Sequence, residues 1–373
     1  MKKTIIALIL VLIMSFSVIS VNAASITIPS NTESSMAETY DLNHIDQDKI
    51  DKMVNNVLKQ SKVPGLSIAI ISNEQTKYLS YGYSDVKNNI NINDNTLFEI
   101  GSMTKAFTAL GFLLLEDQGK LKLDDKVSDY IPGFYVYYKG YHEGRKFDGN
   151  IDLTINQVLY QTSGIPSKTL GNISEGDSDR MLEETVKSLF GVKLDFFPGE
   201  RFQYATINYD ILGYIIELVS GQKYEDFIKE NILIPIGLDE TYLFRNEAES
   251  TGFMAKGYKI NFFQANEYKA PIYRGNTPAG YIISSASQME RWMRIQLGLI
   301  EVSDQFKRII EKSHLGDMSV ASQGDYYYAS GWHVRINNKS IWHNGANPNY
   351  SSVIIMQPDE KFGICVLSNM DSN

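Results

Sequence analysis

Between Met103 and Glu116 the chain reads Thr-Lys-Ala-Phe-Thr-Ala-Leu-Gly-Phe-Leu-Leu-Leu, and Lys105 is the only charge in the run. A helix apolar on every side has no face for water and must pass through the interior, so the rest of the chain has to enclose it. There is enough material: 373 residues, 43% hydrophobic and 12% aromatic. At about 150 residues per domain that length predicts two lobes, or one large domain carrying an insertion. The buried helix opens on Gly101-Ser102-Met103-Thr104-Lys105. Residues three apart on a helix share a face, which places Ser102 and Lys105 within reach of each other. A serine hydroxyl is a poor nucleophile until a base takes its proton, and a lysine serves as that base only where burial lowers its pKa. The apolar surroundings supply that burial, whereas S-x-x-K on a surface helix would be a cap and a solvated lysine.

The flanking segments supply the enclosure. Met53, Val54, Val57 and Leu58 continue from Ile50 at helical spacing, and Pro64-Gly65 stops the pattern. Leu66 to Ile71 and Thr76 to Tyr83, joined by Ser72-Asn73-Glu74-Gln75, predict an antiparallel hairpin. Strands return late, at Trp332 to Ile336, Ser340 to His343, Ser351 to Met356 and Gly363 to Leu367, the last two apolar on both faces. Helical patterns dominate between, at Ile155 to Tyr160, Met181 to Phe190, Tyr209 to Ser220, Tyr224 to Ile232 and Ala286 to Leu297. The expected fold is α/β: an antiparallel sheet flanked by helices, built from about 45–100 and 300–373, with an inserted mostly helical lobe over about 101–299. Residues 134–150 read as a surface excursion.

Several chemistries are disfavoured. Lys and Arg total 35 against 44 Asp and Glu, and an acidic chain is a poor partner for nucleic acid. The single cysteine, Cys365, excludes an intramolecular disulfide framework and a Cys-rich metal site and reads as a small core residue. His44, His142, His314 and His333 show no metal-ligand spacing, so neither a metal nor any other cofactor is expected. At the N-terminus, Lys2 and Lys3 precede an apolar stretch from Ile5 to Ile19 and then Val21-Asn22-Ala23. That order predicts a cleaved export signal over residues 1–23, and thus action outside the cytoplasm. Residues 24–44, polar and aperiodic, read as a flexible leader.

Further segments follow in an order that resembles the serine β-lactamase and penicillin-binding-protein family in its class C-like branch. They are Val63-Pro64-Gly65, Phe98-Glu99-Ile100-Gly101-Ser102-Met103-Thr104-Lys105, Gln161-Thr162-Ser163-Gly164, Tyr204-Ala205-Thr206, Pro278-Ala279-Gly280, Tyr328-Ala329-Ser330-Gly331-Trp332 and His343-Asn344-Gly345. The resemblance implies an acyl-enzyme on Ser102, Lys105 and Tyr204 sharing the proton transfers, and an oxyanion hole of the Ser102 and Ala346 N–H groups on an edge strand. Two departures stand out. Thr206 replaces the usual asparagine of the second motif, and His343 replaces the usual lysine of the third. Together with Arg274-Gly275-Asn276 and Asn347-Pro348-Asn349, they are similar to the prodrug-activating peptidases of nonribosomal peptide pathways, of the colibactin-activating type. Those enzymes remove an N-acyl-D-asparagine cap, which implies a small peptide or acyl-amide substrate, with Thr206, Asn276, His343 and Asn347 contacting it. In that subgroup membrane helices follow the peptidase domain, so a tether through a segment outside this sequence is also implied. The alternatives are a D-alanyl-D-alanine carboxypeptidase or esterase of the same fold, and a non-catalytic penicillin-recognising sensor.

Overall fold

A computed structural model describes residues 41–318, 320 and 324–371. The export signal read at 1–23, and all but the last four residues of the leader, lie outside them. Those last four already belong to the fold: Leu42 is buried and its N–H donates to Gln75 Oε1 at 2.6 Å, so the flexible reading does not hold over residues 41–44.

Helix α1 spans Gln47–Ser61. Asp46 caps it by accepting the Lys49 N–H, Lys62 ends it in the left-handed region, and its buried stripe is Ile50, Val54 and Val57. The hairpin follows as β1 (Gly65–Ser72) and β2 (Gln75–Asp85), with a short β3 (Ile90–Asn91) beside it. The late strands are β4 (Tyr326–Tyr328), β5 (His333–Arg335), β6 (Ile341–Asn347), β7 (Tyr350–Gln357) and β8 (Phe362–Ser368). All eight form one sheet in the order β4-β5-β6-β7-β8-β1-β2-β3, with β1 joining the two ends of the chain. Its pairings are antiparallel throughout.

Side chains alternate across a strand, and here both faces are apolar. Leu66, Ile68 and Ile70 of β1 join Ile355 and Ile364 in a core with Ile50, Val54 and Val57 of α1. Ala69, Ile71, Ile354 and Cys365 point the other way, into the larger core shared with the helices. Cys365 is fully buried there, in the small core position expected of it.

The apolar run of Sequence analysis is helix α2 (Thr104–Asp117), every residue of which from Thr104 to Leu115 is buried. It is enclosed by α3 (Ile207–Ser220), α4 (Ala286–Gln296) and α5 (Asp304–Ser313). Phe107 of α2 stacks on Trp292 of α4 at 4.0 Å between ring centroids. Although α4 falls in the stretch the sequence groups with the helical lobe, it packs on β1 and β8 and so belongs to the layer on the sheet. The excursion at 134–150 is a regular hairpin, Val136–His142 paired with Arg145–Ile151, anchored in the core by Val136 and Tyr138. Alternation of those two with exposed neighbours is what makes it a strand and not a loop.

Candidate active site

Ser102 lies in a 3-10 turn, Gly101–Met103, that runs directly into α2. Gly101 is required there twice over: its φ is +53°, and an added Cβ would stand 2.6 Å from the Ala346 nitrogen. That close approach presses the Ser102 turn against β6. Ser352 of β7 donates to Ile100 O at 2.7 Å, and the Ile100 N–H donates to Ile282 O at 2.9 Å, fixing the turn from both sides.

Lys105, one turn further on, is fully buried, with Nζ 2.9 Å from Ser102 Oγ. Nζ also donates to Ala279 O at 2.6 Å. Burial pulls the ammonium pKa down to about 7, against the opposing charge of Asp210. Tyr204 completes the group from the loop before α3, its ring centroid 5.1 Å from Lys105 Nζ and its hydroxyl near enough to Ser102 to act on its titration. Burial raises the phenol pKa above its ordinary value and the neighbouring Ser102 hydroxyl opposes the rise. Gln161 holds this loop in place: its Oε1 accepts from the Ala205 N–H at 2.9 Å and from Asn208 Nδ2 at 2.7 Å.

Beside the serine opens a cleft of about 540 Å³ whose lining includes Ser102, Thr206, Asn276, Gly280, Ala346 and Asn347. Thr206 makes no side-chain cap to α3. Only the first part of β6 is covered by β5, through the pairs His333–Trp342 and Val334–Ile341. The strand is therefore internal to the sheet, yet among the described residues no strand pairs with Asn344 to Asn347 on that side, and Ala346 lines the cleft.

The chain matches the Beta-lactamase family over residues 50–373. It belongs to the beta-lactamase family of serine hydrolases. Within the family it is similar to protein flp of Staphylococcus aureus strain N315, 33% identical over 87% of this chain and 64% of the relative. Penicillin-binding protein 4* of Bacillus subtilis strain 168 is 28% identical over 79% of this chain and 65% of that protein. The chain thus spans a little under two thirds of the length of these curated relatives. Among solved structures, the octameric penicillin-binding protein homologue from Pyrococcus abyssi superposes with a TM-score of 0.71 at 27% identity, covering 88% of this chain and 74% of that one. A class C beta-lactamase superposes at 0.71 and 22% identity over 87% of this chain and 91% of the other, a likeness of fold.

Set in this fold, the residues named from the sequence divide. Ser102, Thr206, Asn276, Ala346 and Asn347 line one cleft, with Lys105 and Tyr204 against its serine. His343 does not line it. It is 1% exposed, its Nδ1 2.6 Å from Asn344 O and its Nε2 3.4 Å from the Tyr328 hydroxyl. Burial, with the nearby His333 and Lys105, depresses its pKa well below the ordinary value. The expected substrate contact is corrected: Tyr328 and the Tyr204 ring screen an imidazole that is neutral and structural.

Sequence reasoning missed Glu99 and Asp210. Glu99 is 1% exposed, and its Oε2 accepts from Asn347 Nδ2 at 2.7 Å. Asp210 is fully buried, and the Asn276 amide, oriented with its nitrogen toward the acid, places that nitrogen 2.8 and 3.2 Å from the two Asp210 oxygens. The available signal was an acid isolated among apolar residues, in Leu97-Phe98-Glu99-Ile100 and in Tyr209-Asp210-Ile211-Leu212; such an acid is either misplaced or partnered.

Proposed function

We propose that this chain is an exported serine peptidase that removes an N-acyl-D-asparagine cap from a nonribosomal peptide precursor through an acyl-enzyme on Ser102. The observation that carries the reading is the polar lining beside Ser102, where Thr206, Asn276 and Asn347 meet in one cleft. Carboxamides pair well with carboxamides and hydroxyls. The export part rests on the lysine-led apolar stretch at the N-terminus.

The mechanism follows from the two pKa directions. Neutral Lys105 takes the Ser102 proton as Oγ attacks the amide carbonyl carbon. The Ser102 and Ala346 N–H groups hold the oxyanion. Tyr204, protonated throughout the neutral range, donates to the nitrogen as the C–N bond breaks and is reprotonated by way of Lys105. Water then cleaves the ester, with the same base accepting its proton.

This division of labour sets the pH profile. With a base pKa of about 7, kcat/KM is expected to fall about tenfold per unit below pH 6, where Lys105 holds its proton, and to level above pH 8. Because Tyr204 stays protonated, no falling limb appears below pH 10. A bell with an alkaline limb near pH 8, measured by steady-state rates, would contradict these roles.

The functional test is a pair of N-acyl-asparaginyl amides differing only at the asparagine stereocentre, with amine release followed by mass spectrometry. Cleavage of the D isomer alone is expected. The second reading, a D-alanyl-D-alanine carboxypeptidase or esterase, is supported by the similarity to penicillin-binding protein 4*. Turnover of such a peptide or ester with neither asparaginyl isomer cleaved would favour it.

A further inference from the structure

Behind the two asparagines of the cleft stand charged groups that the bond-breaking step does not use. Asn347 Nδ2 donates to Glu99 Oε2 at 2.7 Å and to Gly280 O at 2.9 Å. A primary amide has two N–H groups, so both are spent and only Oδ1 has capacity left. Glu99 cannot swing away. Its other oxygen, Oε1, takes Arg245 Nε at 3.1 Å and Nη2 at 2.5 Å, while Arg245 Nη1 donates to Ala270 O at 2.6 Å. Turning the Asn347 amide over would set its oxygen against a carboxylate and a carbonyl, with no donor between them.

The second asparagine is held the same way. With the Asn276 amide oriented so that its nitrogen and not its oxygen faces Asp210, that nitrogen lies 2.8 and 3.2 Å from the two Asp210 oxygens. Burial raises the Asp210 pKa and the Lys105 charge opposes the rise; the carboxyl keeps an acceptor oxygen for that nitrogen in either protonation state. Gly280 lies between the two side chains. A Cβ there would sit 3.6 Å from Asn347 Oδ1 and 3.8 Å from the outward end of the Asn276 amide. The missing side chain leaves open the space on which both converge.

We propose that Glu99 and Asp210 are positioning residues that hold Asn347 and Asn276 by their nitrogens, so that the cleft presents two carboxamide oxygens and selects a substrate side chain that donates hydrogen bonds. The inference rests on the proposed reading in that it takes this cleft to hold the side chain next to the scissile carbonyl. It adds a direction to the recognition. A neutral primary amide fits, while the isosteric carboxylate, which only accepts, meets two acceptors and is rejected. A site of polar groups left unpaired discriminates strongly.

The test compares three N-acyl amides carrying D-Asn, D-Asp or the apolar isostere D-Leu. The purified chain is expected to prefer D-Asn over D-Asp by about 100-fold or more in kcat/KM. Glu99→Gln reverses the hold on Asn347. Arg245 claims the Gln oxygen and the Gln N–H faces Asn347, so of the two acceptors that hold the Asn347 nitrogen only Gly280 O remains and the amide no longer presents its oxygen alone to the cleft. The D-Asn to D-Asp ratio should then fall at least about tenfold, with D-Asp rising relative to D-Leu. Damage to the fold alone would depress all three substrates together and leave the ratio in place, which would overturn the assignment for Glu99.

A second measurement needs neither the variant nor turnover. Two boronic acids that add to Ser102, one bearing the carboxamide and one the carboxylate, are titrated calorimetrically against the unmodified chain. Tighter binding of the carboxamide by about tenfold or more supports the inference, and equal or reversed affinities overturn it. If no asparaginyl amide is cleaved while the carboxamide boronate still binds more tightly, the peptidase reading fails and the donor-selective cleft stands.

Discussion

Ser102→Ala is expected to lower turnover of any substrate this chain cleaves by about 10⁴-fold or more, the scale on which a lost nucleophile acts in serine hydrolases. The size of the effect follows from what remains. Lys105 keeps its hydrogen bond to Ala279 O, and the turn keeps its anchors at Ser352 and Ile282. The N–H groups of residues 102 and 346 are untouched, so the variant still binds and polarises substrate without an oxygen to receive the acyl group. Lys105 Nζ is not orphaned by the change, because it retains Ala279 O. Thermal stability should therefore stay near that of the parent while chemistry disappears. Intact-protein mass spectrometry after acid quench separates the steps: the parent carries an acyl adduct on mixing with substrate, and the variant carries none. Turnover within about tenfold of the parent would remove Ser102 from its role.

How much of this was visible in the residues depended on how far apart in the chain the interacting groups lie. Helix α2 was legible because its signal is local: twelve consecutive residues without a solvent face permit one environment, and the structure buries all of them. Pairing of Ser102 with Lys105 was legible for the same reason, three residues on one helical face. The sheet was legible in six of its eight strands, the short β3 and β4 carrying too few residues for a pattern, but not in its order, since β1 meets β8 across nearly the whole chain. Tyr204 could be named only through family resemblance; nothing in its spacing points to a serine 102 positions earlier. Its ring reaches the site because Gln161, itself in the left-handed region, braces the loop. Glu99 and Asn347 are 248 residues apart and Asp210 and Asn276 are 66 apart, so no pattern in either segment announces the pairing. His343 was read as a substrate contact because the third motif ends at the cleft. His343 shares a face of β6 with Asn347, but aromatic residues from β4 and the Tyr204 loop cover it.

Lys105→Met separates the catalytic use of that side chain from its energetic cost. Methionine has similar reach, no charge and no basic lone pair, so turnover should fall about 10²- to 10⁴-fold, the range that a positioned general base contributes. Stability should move the other way. In the folded chain the ammonium pKa is about 7, against about 10.4 in an unfolded one. Between those values the unfolded state binds the extra proton, so parent stability rises with pH through that window and is lowest below pH 7. The difference amounts to about 5 kcal/mol at low pH. Methionine removes this dependence. It also removes the cation that holds the Asp210 pKa down, so Asp210 is more readily neutral in the variant and no new buried charge is left unpaired. Denaturant unfolding at pH 6, 7, 8 and 9 should show the parent gaining stability with pH while the variant does not, with the variant the more stable at pH 6. A parent whose stability is flat from pH 7 to 9 would mean that Lys105 is not held neutral by burial, and Ser102 would then need a different base.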